Sequence, residues 1–301
     1  MRLHAVRWAQ AVILLSAWGL LFARAPGHAA DTPPMPLGLG RAFDPGQVLH
    51  GQTAHRLLHF TFDDGPDILT TPRMLDALDA AGVKATFFFS ASRFAEHSER
   101  NAHARELAME VARRGHAVGS HSVDHVRMNS MTEAQLIAQL DGSDRLFMEI
   151  FGRRTFLFRP PWGLHSPELD RQLAARDATM VLWNIGSADW TINDATKLET
   201  TFMRALPYLA QHHGWGGGIV LMHDTHPWTV EAFPRIIADL RARNCELLAT
   251  HEELYDIRDD LGAWQVMPSS EAQAALEAEL AARQLALRAE TQARCKPAKP
   301  D

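Results

Sequence analysis

The chain is organised around Thr61-Phe62-Asp63-Asp64-Gly65-Pro66-Asp67. An apolar run over residues 57–62 leads into it, which indicates a β-strand that ends abruptly in two carboxylates and a Gly-Pro pair. Successive strand residues point to opposite sides, so Asp63 and Asp64 can take different tasks, one binding a metal and one facing a substrate. An acidic turn is the alternative interpretation, because Asp, Gly and Pro are all common in turns.

The composition is that of an ordinary globular protein. The 301 residues are 46% hydrophobic and 22% charged, and a single α/β barrel domain typically takes roughly 200–250 residues. The net charge of −6 at pH 7 gives no support for a nucleic-acid-binding surface, so we expect no nucleic-acid partner.

The N-terminus has the pattern of a secretory signal peptide over residues 1–29. Arg2 and Arg7 form its basic start, residues 9–22 are mostly apolar, and Gly27-His28-Ala29 offers a small-x-small cleavage site. The apolar run is short for a membrane span. We therefore expect an exported protein, periplasmic or secreted, with no stable membrane insertion after cleavage. An uncleaved N-terminal anchor is the alternative.

Downstream of the first strand, helix-like and strand-like runs alternate. Such alternation predicts an α/β fold with a parallel sheet, open or closed, of about seven strands. The predicted strands are 57–62, 85–89, 117–121, 156–158, 179–183, 219–222 and 245–250, and the predicted helices are 70–81, 94–114, 132–150, 166–175, 195–212 and 229–243. Polar clusters directly follow Phe62, Val118, Phe158, Trp183 and Met222, at the carboxyl ends where active residues of such sheets lie.

His121 and His125 form a candidate metal-binding pair. If the segment turns helically after its strand, the i, i+4 spacing puts both imidazoles on one face. A carboxylate from Asp63 or Asp64 would complete a 2-His-1-carboxylate set, which leaves an open coordination position of the catalytic type. With 16 histidines in the chain, a chance pair is the alternative.

Two further motifs carry less information by themselves. Arg159 is the first residue of the segment Arg-Pro-Pro-Trp-Gly, which follows a strand. There it could bind a carboxylate through two parallel hydrogen bonds, in bidentate geometry, or form a surface salt bridge. His223 ends an apolar strand, so a buried core histidine competes with a functional one. Asp124 and Asp224, the acids beside the motif histidines, are expected to be solvated or capping groups.

Together these segments resemble the five motifs of the polysaccharide deacetylase (NodB-homology) carbohydrate esterases, in the same order over roughly residues 55–255. The matching segments are 61–66 for TFDDGP, 121–125 for H-S/T-x-x-H, 159–163 for Arg-Pro-Pro-aromatic-Gly, 189–190 for the end of D-x-x-D-W, and 221–223 for L-x-H. One departure is visible. Gly186 stands where the family has the first Asp of D-x-x-D-W, which removes a polar anchor but none of the catalytic roles.

The resemblance implies a single distorted (β/α) barrel with a C-terminal helical extension. It also implies metal-dependent removal of N-acetyl groups from an N-acetylglucosamine-type polysaccharide, such as peptidoglycan or a poly-N-acetylglucosamine. Carried over by position, the metal ligands would be Asp64, His121 and His125. Zinc suits this ligand set, and cobalt, nickel or iron would also fit it.

The remaining roles carry over in the same way. Asp63 would be the general base, tethered by Arg159, and His223 the general acid, oriented by Asp189. The substrate contacts would come from Trp162 through its backbone N–H, from Trp190 as a wall of the acetyl pocket, and from Leu221.

The implied domain organisation has four parts. These are the signal peptide 1–29, a Pro- and Gly-rich linker or arm 30–54, the catalytic domain 55–262, and a C-terminal region 263–301 with an amphipathic helix and a tail that we expect to be disordered. We expect that helix to pack on the barrel, with partner binding as the alternative. Export permits a disulfide between Cys245 and Cys295, but the sequence does not show whether they approach. It also leaves the oligomeric state open.

Two other functions compete with the deacetylase. One is a glycan-binding module that has lost turnover, and the other is a related barrel amidohydrolase acting on a small C–N substrate. The full set of ligands, base and acid argues against the first, and the export signal argues against the second. A serine hydrolase is disfavoured because no G-x-S-x-G motif is present.

Overall fold

A computed structural model describes residues 46–95 and 98–295 of the chain. The signal peptide predicted at 1–29, residues 30–45 of the predicted arm and the tail from 296 lie outside the described residues. Within the described ranges, no helix combines the length and the apolar character needed to cross a bilayer.

The sheet is built around one fully buried strand. Its strands are β1 (Val48–Leu49), β2 (Leu57–Asp63), β3 (Thr86–Phe89), β4 (Ala117–Ser120), β5 (Leu157–Phe158), β6 (Thr179–Val181), β7 (Ile185–Gly186), β8 (Gly218–His223) and β9 (Asp256–Ile257). Every residue of β2 is buried, as expected for a central parallel strand covered on both faces. It pairs in parallel with β3 and β9 along one edge and with β8 along the other.

The strand order is β1-β6-β5-β4-β3-β2-β8-β7, and every ladder between these strands is parallel. The sheet curls but β1 and β7 remain its two ends, which confirms a distorted (β/α) barrel. In the described part of the chain the sheet has nine strands rather than about seven. The additional strands β1, β7 and β9 contain two residues each, too few for an apolar run to reveal them.

Helices cover the sheet at the predicted crossovers. They are α1 (Thr71–Ala81), α2 (Ser92–Ala95), α3 (Glu99–Arg113), α4 (Glu133–Phe151), α5 (Pro167–Ala174), α6 (Ala195–His213), α7 (Pro227–Ala249) and α8 (Ser270–Arg294). The capping box predicted for α4 is present between Thr132 and Gln135. Ser166 caps α5, with a proline in its first turn. The single helix predicted over 94–114 is instead two helices, α2 and α3.

The strand predicted over 245–250 is wrong, because α7 continues through Ala249. Leu240 and Leu247 are buried on α7 at helical spacing, so the apolar residues belong to a helix face. A short apolar run is consistent with either element, and length decides between them. The last strand is β9, seven residues beyond α7.

The C-terminal helix α8 packs on the barrel. Leu276 and Leu280 join a core cluster with Leu261 and Trp264. Arg283 donates from Nε and Nη2 to the buried carboxylate of Asp256, at 2.8 and 2.6 Å. Cys295, just past α8, is disulfide-bonded to Cys245 of α7, which resolves the pairing that the sequence left open.

We expect the double variant C245S/C295S to lose about 2–4 kcal/mol of unfolding free energy. The bond closes a loop with a sequence separation of 50 residues, and opening it returns chain entropy to the unfolded state. Denaturant unfolding measures the loss. Wild-type protein under reducing conditions should show the same loss, and the variant should not respond to reductant. Equal stability of oxidised and reduced wild type would contradict the prediction.

Candidate active site

The register of the central strands brings the predicted residues to one edge of the sheet. Asp63, the last residue of β2, lies beside His223, the last residue of β8. Arg159 follows β5, and its backbone N–H donates to the Ser120 carbonyl at the end of β4. Asp189 follows the short strand β7. The prediction that its polar cluster directly follows a strand over 179–183 is therefore wrong. The carboxyl edge of the sheet therefore gathers the candidate residues as predicted.

Asp64, His121 and His125 form a cluster with the geometry of a metal site. Asp64 Oδ1 lies 3.6 Å from His121 Nε2 and 3.3 Å from His125 Nε2, and one ligand atom from each residue falls within 4.8 Å of the others. Asp64 Oδ1 is shielded from solvent and has no hydrogen-bond partner among residues 46–95 and 98–295. An orphaned carboxylate oxygen facing two imidazole nitrogens fits a divalent cation.

The surroundings of His121 fix its tautomer and its charge in the form that a metal ligand needs. Its Nδ1 lies 2.7 Å from the carbonyl oxygen of Arg159, so Nδ1–H donates there and the Nε2 lone pair faces Asp64. Burial lowers the pKa of His121 to about 3, although the Asp64 charge opposes this. The imidazole is thus neutral at physiological pH, the form that binds metals.

The two histidines approach through a strained turn and not through the helical turn considered above. Ser122 and His125 have φ values of 66° and 50°, and Asp64 has a φ of 72°. Left-handed conformations of such residues cost free energy and concentrate at functional sites. Trp162, at φ 59°, packs its ring 4.5 Å from that of His125, centroid to centroid. Four of the non-glycine residues with positive φ therefore lie at the cluster.

Asp63 is buried with Arg159. The Nη1 group of Arg159 donates to Asp63 Oδ1 at 2.8 Å and to Thr61 Oγ1 at 2.7 Å. Its Nε and Nη2 groups donate to the carbonyls of Val181 and Leu182. Arg159 therefore binds the Asp63 carboxylate through one nitrogen and not in the bidentate manner considered above. Burial raises the pKa of Asp63, and the Arg159 charge opposes that rise.

His223 is held by a buried carboxylate. Asp189 Oδ1 lies 2.8 Å from His223 Nδ1, and its Oδ2 accepts from the backbone N–H of His223 and from Thr229 Oγ1. Burial alone would lower the pKa of His223, but the hydrogen bond and charge of Asp189 raise it to about 9. Burial alone would raise the pKa of Asp189, but the hydrogen bonds that Asp189 accepts outweigh this effect and hold the Asp189 pKa below its usual range. His223 is therefore protonated at neutral pH.

A cleft of about 330 Å³ opens above these groups. Its lining combines the acid and histidine side chains with apolar ones: Asp63, Asp64, His121, His125, Trp162, Trp183, Trp190, Leu221 and His223. Trp162 and Trp190 are about half exposed, at 48% and 52%. The predicted site residues absent from this lining, Arg159 and Asp189, are fully buried. The cleft thus presents apolar walls around a polar floor.

The structure accounts for the glycine at position 186. A Cβ there would lie 3.2 Å from the ring of Trp190, which is shorter than an ordinary van der Waals contact. Gly186 therefore leaves room for the Trp190 ring, where the family pattern has a polar side chain.

Several residues at the site were missed by sequence reasoning. Thr61 contacts Arg159, Trp183 lines the cleft, and Thr229 and Trp228 donate to Asp189. Thr61 lay inside the first motif, which was a usable signal. The Thr229 contact crosses 40 residues of sequence and has no local pattern.

The expectation for Asp224 was wrong, whereas Asp124 matches it. Asp124 is exposed and accepts a hydrogen bond from Gln139. Asp224 is completely buried and accepts from Thr71 Oγ1. Burial raises the pKa of Asp224 to about 7.

The fold and this cluster define a class: a curled parallel α/β barrel with a candidate mononuclear metal centre at its carboxyl edge. A family model described as polysaccharide deacetylase matches residues 50–181. The putative polysaccharide deacetylase YheN of Bacillus subtilis is 31% identical over 205 residues, covering 65% of this chain and 69% of YheN. The chain belongs to the polysaccharide deacetylase family.

Other relatives carry more specific names. The peptidoglycan-N-acetylglucosamine deacetylase PgdA of Listeria monocytogenes is 27% identical over 208 residues, covering 69% of this chain. The chain spans only 41% of that relative's length. The chitin deacetylase structure from Colletotrichum lindemuthianum superposes with a TM-score of 0.57 at 26% identity, covering 65% of this chain and 85% of that one.

Proposed function

We propose that this protein is an exported, metal-dependent deacetylase that hydrolyses the N-acetyl group of an N-acetylglucosamine-type polysaccharide. The observation that carries the proposal is that one cleft holds all three required parts. These are a metal-type cluster at Asp64, a buried carboxylate at Asp63, and the His223 imidazole, which pairs with the buried Asp189 carboxylate.

The metal would be held by Asp64, His121 and His125, and zinc is the ion that suits these ligands best. When bound, such an ion polarises the amide carbonyl and acidifies a water molecule, and amide hydrolysis needs both effects. Two features support this assignment: the Asp64 oxygen, which has no hydrogen-bond partner in the described part of the chain, and the fixed His121 tautomer.

The proton transfers fall to the two groups on either side of the cluster. Asp63 takes a proton from the attacking water, and Arg159 fixes the orientation of its carboxylate. His223 gives a proton to the departing amine, which leaves poorly without one. Asp189 keeps His223 charged and oriented for this step. The separation of an acid and a base in one cleft supports general acid–base catalysis.

The remaining lining groups would bind the acetamido group. The backbone N–H of Trp162 would stabilise negative charge on the carbonyl oxygen. The Trp190 ring and Leu221 would contact the acetyl methyl, because aromatic and aliphatic surfaces suit an apolar group at the end of a polar cleft.

The names of the relatives support the substrate class. PgdA is named as a peptidoglycan-N-acetylglucosamine deacetylase and the fungal structure as a chitin deacetylase. Both names point to polymers with N-acetylated glucosamine units. The signal-like segment 1–29 supports a periplasmic or secreted location. We keep 55–262 as the catalytic domain and 263–301 as its extension, and we add to the domain the strand β1, which lies in the predicted arm 30–54 and pairs with β6.

Acetate release from N-acetylated oligosaccharides tests the proposal. The exported form of the protein is assayed after metal removal, after zinc is restored, and against chitin and peptidoglycan fragments in parallel. Zinc-dependent release supports the proposal, and the preferred fragment identifies the glycan. Tight zinc binding without release from any glycan would favour the silent binding module or the small-substrate amidohydrolase.

We expect kcat/KM to fall as the pH rises through about 9, and Asp189→Asn to move that fall to lower pH. The pKa of His223 is raised to about 9, so the acid form is present below that pH and is lost above it. Removing the neighbouring carboxylate should lower the limb by about 1–3 pH units. Profiles of kcat/KM for both proteins across the alkaline range measure the shift. An unchanged limb in the variant would contradict the role of His223.

A further inference from the structure

Asp224 is a buried acid beside the site for which the mechanism above has no use. It directly follows His223 and is completely buried. Its Oδ2 accepts a hydrogen bond from Thr71 Oγ1, at the start of α1. Its Oδ1 has no hydrogen-bond partner within the described residues. A buried carboxylate with one oxygen left without a hydrogen bond lowers the free energy of unfolding. A role other than stabilising the fold would explain why this residue is an acid.

The surroundings of Asp224 are the loop that carries Asp64. The hydroxyl of Thr71 donates to Asp224 and accepts from the backbone N–H of Asp67 at 2.8 Å. The backbone N–H of Thr71 in turn donates to the Asp67 carbonyl at 3.1 Å. The far end of the loop is therefore tied to the carboxylate of Asp224 through one hydroxyl group.

The near end of the loop rests against the same carboxylate. A Cβ on Gly65 would lie 2.6 and 2.7 Å from the two oxygens of Asp224, and its three nearest heavy atoms all belong to that carboxyl group. Only a glycine allows this approach. The preceding residue, Asp64, has the left-handed backbone that aims it at the histidine cluster. Asp224 thus contacts the loop on both sides of its bend.

We infer that Asp224 is a positioning residue for Asp64, holding the loop 64–71 in the shape that directs the Asp64 carboxylate to His121 and His125. The inference rests on the proposed function, because it assigns Asp64 to a metal. Asp224 also links the proposed acid to the proposed metal ligand, since it directly follows His223 in sequence and supports the loop that carries Asp64.

Zinc affinity, measured by calorimetry on the metal-stripped full chain, tests the inference. Asp224→Ala should weaken zinc binding by about 10- to 100-fold, the usual effect of losing a group that supports a ligand. The thermal midpoint of the metal-free variant should stay close to that of wild type, because the removal of an incompletely satisfied buried carboxylate offsets the cavity and the lost hydrogen bond from Thr71. Asp224→Asn keeps an oxygen for Thr71 and should recover most of the affinity.

Two controls separate positioning from charge and from general folding. Asp124→Ala removes an exposed acid beside His125 and should leave zinc affinity unchanged, whereas an equal loss in both Ala variants would make the effect electrostatic and overturn the inference. In a double-mutant cycle, Gly65→Ala should weaken zinc binding strongly in the wild type and much less in Asp224→Ala.

The outcomes also distinguish this inference from the proposed function. A wild-type protein that binds no zinc would overturn both. Zinc binding by Asp224→Ala at wild-type affinity would overturn the inference alone. A metal-free Asp224→Ala protein that melts well below wild type would mark Asp224 as a residue of the fold, and it would overturn the positioning role.

Discussion

Asp63→Asn is expected to lower kcat/KM for acetate release by about 10²- to 10⁴-fold, the usual contribution of a general base. An amide cannot take a proton from water, whereas it occupies the same space as the carboxylate. Asp63 Oδ1 is bonded to Arg159, and its Oδ2 lies 3.7 Å from His121 Nε2. Asp63 Oδ2 therefore faces the cluster of Asp64, His121 and His125, where the proposed attacking water would lie. Steady-state kinetics on an N-acetylated oligosaccharide measures the loss.

Zinc affinity is the control for this variant. Asp64, His121 and His125 are untouched, so Asp63→Asn should bind zinc nearly as tightly as wild type while turnover falls. The variant should also be less stable, because the fully buried Arg159 loses its anionic partner, and breaking such a pair costs about 3–5 kcal/mol. A variant that keeps wild-type turnover would refute the assignment of Asp63 as base.

The arrangement of the carboxyl edge was predictable because its signals are local. A buried parallel strand needs an apolar run, and functional side chains follow directly where the strand ends. Asp63, Asp64 and Arg159 each satisfy that rule within a few residues of a strand. The barrel and the distinct roles of the residues came from the family resemblance, since neither periodicity nor spacing separates an open sheet from a curled one.

The rest of the site depends on tertiary contacts that leave no local pattern. The His121 and His125 spacing fits a helical turn equally well, yet left-handed residues bring the rings together. Asp189 follows a two-residue strand whose existence depends on pairing with β8. Asp224 has the sequence context of a solvated acid, yet it is completely buried and its carboxylate is approached by Gly65 and Thr71, which are distant in sequence. The disulfide likewise depends on where α8 packs.

His125→Ala is expected to weaken zinc binding by at least about 100-fold and to reduce acetate release to the level of metal-stripped protein. A three-residue site that loses one ligand keeps only two donors, and the open position fills with water in place of imidazole. Asp64 Oδ1, 3.3 Å from His125 Nε2, would then lose one of the two imidazoles it faces. Calorimetric zinc titration and acetate release are measured on the same preparation.

His165→Ala is the matched control, because His165 pairs with Asp170 away from the cleft lining. It should change neither zinc affinity nor turnover. High zinc concentration should restore part of the activity of His125→Ala, since the proposed base Asp63 and the proposed acid His223 remain in place and only the occupancy of the metal site is lost. Retention of wild-type zinc affinity by His125→Ala would place the metal elsewhere. Activity unaffected by metal removal would separate the reaction from the cluster of Asp64, His121 and His125.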